Sequence, residues 1–77
     1  MKTYVVHVGL QEEQDGRWSA WVDALPGCAA WGNDRRGALQ AIREAAEAYI
    51  ADALEAGEAL PPDGVEIVEA PLIAVTL

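Results

Sequence analysis

The sequence holds one histidine and one cysteine, the residue types that most readily move protons or attack electrophiles near neutral pH. His7 lies in the stretch TYVVHVGL. A general base needs a group to activate, and a metal needs several ligands. Neither a nucleophile nor a second ligand stands at a suggestive spacing from His7. It is read as an interface or surface histidine. Cys28 follows Pro26-Gly27 and leads into a short apolar run, where cysteine packs as a small hydrophobe. No catalytic residue, metal or cofactor is assigned, and the chain is expected not to be an enzyme.

Charge is the stronger signal. Thirteen acidic residues against five basic ones give a formal charge of −8. Phosphate backbones are bound by clustered Lys and Arg, whereas this chain has Lys2, Arg17, Arg43 and one adjacent pair, Arg35-Arg36. General nucleic-acid binding is therefore not expected. An acidic domain attracts a basic partner, since opposite fields speed and orient encounter. Glu44, Glu47, Asp52 and Glu55 recur along one polar stretch, where Arg43 pairs with Glu47 at i, i+4.

These residues must be positioned by few elements. Residues 3–10 alternate, with Tyr4, Val6, Val8 and Leu10 on one face and Val5 and His7 on the other. Asp15-Gly16 is a turn signal, and residues 17–24 alternate again, so a hairpin follows. Leu25-Pro26-Gly27 breaks the second strand, and residues 28–31 form a third, ended by Gly32. Asn33 or Asp34 caps a helix from Arg35, with Leu39, Ile42, Ala46, Tyr49, Ile50, Ala53 and Leu54 on its apolar stripe. Gly57 ends it, and Pro61-Pro62 prevents resumption. A last strand lies at 65–68 or 72–77. The order β-β-β-α-β predicts an α+β fold, a small antiparallel sheet with one covering helix. Trp18 and Trp21, three apart on a strand, fall on opposite faces. Trp18 goes to the helix-covered core and Trp21 to the uncovered face, beside Val5 and His7. Trp31 is ambiguous.

The succession W-S-A-W-V-D-A-L-P-G-C, then Gly32, then Ala38-Leu39 within an acidic helix ending at Gly57, resembles the HicB-like antitoxin domain. The likeness covers about residues 3–62, and L-P-G-C after the hairpin is its most specific part. It implies a partial RNase H-like fold and a function of masking a HicA-like toxin, a small basic ribonuclease that cleaves mRNA. Asp34 stands where the family pattern has threonine. Gly37 stands where a glutamate would complete a capping box. The chain ends at Leu77, so residues 1–77 are read as a single HicB-like domain with no C-terminal DNA-binding domain, and no direct DNA binding is expected. The RNase H likeness raises two-metal hydrolysis, which needs converging carboxylates. No acid lies between Lys2 and Leu10, and Asp15 and Asp23 stand at opposite ends of one strand, roughly 25 Å apart when extended.

A 77-residue chain buries only about 60 % of its unfolded surface, and with one cysteine it has no disulfide staple. A homo-oligomer, dimer or tetramer, is expected. Val5, His7, Trp21, Glu44 and Glu47 are the candidate partner or oligomer contacts. The alternative is a solitary oligomeric scaffold or regulatory domain with no toxin partner. No apolar run approaches the ~20 residues of a membrane helix, and MKTYVVHVGL is not a signal peptide. The expected site is the cytoplasm.

Overall fold

The computed structural model describes residues 2–69, 75 and 76. Five strands and one helix follow in the order β1 (Lys2–Val6), β2 (Gly9–Glu12), β3 (Trp18–Trp21), β4 (Ala29–Gly32), α1 (Arg35–Glu55) and β5 (Val65–Glu69). β2, β3 and β4 form an antiparallel sheet in that spatial order, and β1 pairs antiparallel with β5 as a separate two-stranded ribbon. The α+β class read from the sequence is the observed one. Its first strand is corrected. The expected continuous strand over 3–10 is broken at His7 and Val8, so β1 leaves the sheet that β2 joins. Val8, placed on the helix-facing side by alternation, is exposed as a result.

Local chemistry accounts for the connections. Glu13 and Arg17 close the β2–β3 turn, with the Glu13 N–H donating to the Arg17 carbonyl at 2.7 Å. At Leu25-Pro26-Gly27-Cys28 the Cys28 N–H donates back to the Leu25 carbonyl at 3.0 Å, and Gly27 has φ +81°. Proline second and a positive-φ glycine third define a type II turn. The turn drives Leu25, fully buried, into the core and returns the chain so that the Val22 N–H meets the Cys28 carbonyl at 3.1 Å.

Of the two cap candidates the helix uses Asp34, whose Oδ1 accepts from the Gly37 N–H at 2.7 Å. At the other end Gly57 donates to the Leu54 carbonyl and Glu58 to that of Ala53, the paired bonds of a Schellman motif. Helix α1 packs on one face of β2–β3–β4, most closely along β4. Ala20, Val22, Leu25, Cys28, Ala38, Ile42, Ala46 and Ile50 form the core, flanked by Leu10, Trp18 and Ala30. Leu54, expected on the buried stripe, is 48 % exposed, because the helix outruns the sheet. A 21-residue helix is about 31 Å long and a four-residue strand about 13 Å.

The last strand is the 65–68 candidate, as β5, while the alternative segment 72–77 lies largely outside the described residues. Tyr4, Val6, Leu60 and Val65 reach the core, so the ribbon is rooted at its base. Beyond that, neither β1 nor β5 lies against the helix or the other sheet. The molecule is a plate, 38 × 35 × 18 Å.

Candidate interaction surface

In an antiparallel ladder directly paired residues share a face. Ala20 and its partners Leu10 and Ala30 face the helix. The alternate rows face away from it: Gly9, Trp21 and Ala29 in one, Gln11, Ser19 and Trp31 in the next. The sheet thus presents two tryptophans on its helix-free side. Trp18 sits on the helix side, half-buried against the core, as its alternation required.

The two exposed-side tryptophans differ. The Trp21 indole lies flat across Gly9 of the neighbouring strand, inside the space a β-carbon there would occupy. It is half-buried and covers backbone. Trp31 is 55 % exposed, and the Arg17 guanidinium stands 5.3 Å from its ring centroid, within cation–π range. Arg17 is itself held. Its Nε donates to Asp15 Oδ2 at 2.8 Å, and its backbone N–H donates to Asp15 Oδ1 at 3.1 Å. That backbone bond first, and then the side-chain bond, lower the Asp15 carboxyl below its ordinary value of 3.8. Asp15 therefore remains charged, and the clamp closed, at a pH where a free aspartate has begun to protonate. Ser19 donates to Glu13 Oε1 at 2.8 Å, which lays a second carboxylate along the same face.

Sequence reasoning placed Trp21 correctly on the uncovered face but missed Trp31 and Arg17. Only the register of a four-residue strand decides which way Trp31 points. The five candidate contacts do not form one surface. Val5 and His7 share a shallow hollow of about 220 Å³ with Gly64, Val65 and Glu66. Glu44 and Glu47 are exposed on the helix, across the sheet from Trp21, and Arg43 Nε meets Glu47 Oε1 at 3.2 Å as its spacing predicted. Both partners of that pair are mostly exposed, so it contributes little. The helix carries its charges against its own dipole: Arg35 and Arg36 stand at its start, Asp52 and Glu55 at its end. Each such placement costs a few tenths of a kcal/mol or more, so the acids at this end do not serve helix stability. They add to the negative pole of the helix.

Among the described residues no group of three or more His, Cys, Asp or Glu could hold a metal. Cys28 is buried with a free thiol, and desolvation raises its pKa above 9.0. A thiol with a raised folded pKa contributes stability that is intact below the ordinary value and lost as pH rises through the folded one. Native protein at neutral pH is accordingly expected to alkylate with iodoacetamide about a hundredfold more slowly than the urea-unfolded chain. Equal rates would show the thiol to be accessible. No helix of the described residues is long and apolar enough to cross a membrane.

The chain is 37 % identical over 57 residues to UPF0150 protein Ta0767 of Thermoplasma acidophilum, covering 74 % of this chain and 83 % of the relative. The chain belongs to the UPF0150 family. No family model matches it. The UPF0150 relative supplies a second chain of similar size on which the same reading of sheet, turn and helix can be tried.

Proposed function

We propose that this UPF0150 protein is an antitoxin-type binding module that masks a small, basic, HicA-like mRNA-cleaving ribonuclease in the cytoplasm. The observation that carries the reading is the helix-free sheet face, where Trp21, Trp31 and a clamped Arg17 lie on a chain of net charge −8. Tryptophan and arginine dominate the energetics of protein interfaces, and here both stand on the sheet face that the helix does not cover. The resemblance of residues 3–62 to HicB-like domains supplies the partner class, and membership of UPF0150 is compatible with it.

The module needs no chemistry of its own. The acidic helix end and the overall charge draw a basic protein in, and the aromatic face holds it over its RNA-binding surface. Direct contact with DNA forms no part of this reading.

The test is co-expression with the small reading frame adjacent to the gene, followed by titration of the purified basic product against RNA cleavage. Stoichiometric inhibition is expected, with affinity falling as salt rises. Absence of binding at low ionic strength would sink the reading and leave a solitary scaffold or regulatory domain.

A further inference from the structure

The two edges of the β2–β3–β4 sheet are unequal. In an antiparallel ladder, residue pairs that exchange hydrogen bonds alternate with pairs that do not. The Val22 N–H meets the Cys28 carbonyl, so Ala20 bonds in the same way with Ala30, and Trp18 with Gly32. Ala29 and Trp31 fall between those pairs. Each therefore turns its N–H and its carbonyl away from β3, toward the free side of the sheet. Among the described residues no strand, turn or side chain takes up these groups.

The opposite edge is guarded. Glu13 bonds to Arg17, so by the same alternation β2 turns Leu10 and Glu12 outward. Gln11 and Glu12 are exposed there, and charge on an edge strand discourages further pairing. β4 reads Ala-Ala-Trp-Gly and pairs with β3 in continuous register, without a charge, a proline or a bulge. Ala29 and Trp31 are its exposed residues. An edge left in this state is a template for another strand.

We infer that the basic partner of the function proposed above, on which this inference rests, docks an extended segment of its own chain along β4 as a fourth strand. The segment's main-chain groups pair with those of Ala29 and Trp31, whose two-residue spacing matches the repeat of any strand. A β-branched or aromatic side chain of the segment stands beside the Trp31 ring, a favoured cross-strand pairing. Arg17 lies over the same ring, so the edge and the tryptophan face act as one surface. A second copy of the chain would set −8 against −8 along this edge, whereas a basic partner meets the opposite field.

Amide hydrogen exchange tests this, read residue by residue on the full chain, alone and with the purified basic product of the adjacent reading frame. In the free chain the Ala29 and Trp31 amides are expected to exchange fast, while those of Ala30 and Gly32, bonded to β3, are protected. In the complex Ala29 and Trp31 should slow by about a hundredfold. Ala29→Pro removes one outward N–H at the first residue of an edge strand, where proline is tolerated. It should weaken the complex by about tenfold or more, with helix content unchanged. Exchange in the wild type decides the matter if that variant does not fold. A complex in which both amides stay fast overturns the inference and leaves the proposed function standing. So does a folded Ala29→Pro variant that binds as the wild type does. Protection that rises with the concentration of the chain alone overturns it too, by placing a second copy on the edge. No binding at all removes both readings.

Discussion

Gly32→Ala is expected to cost about 3 kcal/mol or more, a large share of the stability of a domain this small. A β-carbon on Gly32 would fall inside the contact distance of the Ala38 backbone nitrogen and 2.8 Å from the Ala38 α-carbon. These are main-chain atoms of the first helical turn, pinned by the Ala38 N–H bond to the Asp34 carbonyl at 3.0 Å. No rotamer relieves the clash. Strand β4 and the helix must separate, which uncovers Ala38 and Ile42, both fully buried. Thermal unfolding should show a drop of about 12 °C or more. Gly37→Ala is the internal control. Its β-carbon would meet Asp34 Oδ1 at 3.1 Å and the Gly32 α-carbon at 3.8 Å, an ordinary van der Waals distance, and alanine recovers about 0.5–1 kcal/mol of helix propensity. A small net change is expected there. If both variants melt together with the wild type, the close contact of strand and helix is not what holds the two layers.

Trp31→Ala carries the second large effect, on binding rather than folding. The ring is more than half exposed and supports a guanidinium already oriented by Asp15, so truncation removes both an aromatic anchor and the platform under Arg17. Loss of about 2 kcal/mol or more of partner affinity is expected, roughly thirtyfold, with an unchanged melting temperature. Trp21→Ala is a poorer probe. Removing the indole that covers Gly9 strips the β2–β3 pair of its cross-strand contact and should lower stability as well. Calorimetric titration with the basic partner separates the two. Wild-type affinity in a folded Trp31→Ala variant would move the binding surface elsewhere.

What the sequence made legible was local. The Asp15-Gly16 turn, the Leu25-Pro26-Gly27 break, the Asp34 cap and the Gly57 stop each follow from the chemistry of two to four adjacent residues. The break at His7 and Val8 left no such mark, since neither is a glycine or proline and the alternation runs on through them to Leu10. The pairing of β1 with β5 joins segments some sixty residues apart and depends on tertiary packing rather than propensity. Leu54 obeyed the helical period yet stayed exposed, because periodicity says which face is apolar and not how far the sheet extends beneath it. The site divided in the same way. Trp21 was assigned to the right face by counting. Arg17 on Trp31 needed the register of β3 against β4 to bring a turn residue over a strand residue fourteen positions later.

The plate is only 18 Å thick, and that thinness makes its core a single layer of side chains. Ala20, Val22 and Leu25 on the sheet side and Ala38, Ile42 and Ile50 on the helix side fill it. A void cut into such a layer has no deeper side chains to flow into it, so truncating Leu25 or Ile42 falls at the costly end of the usual range, about 4–5 kcal/mol.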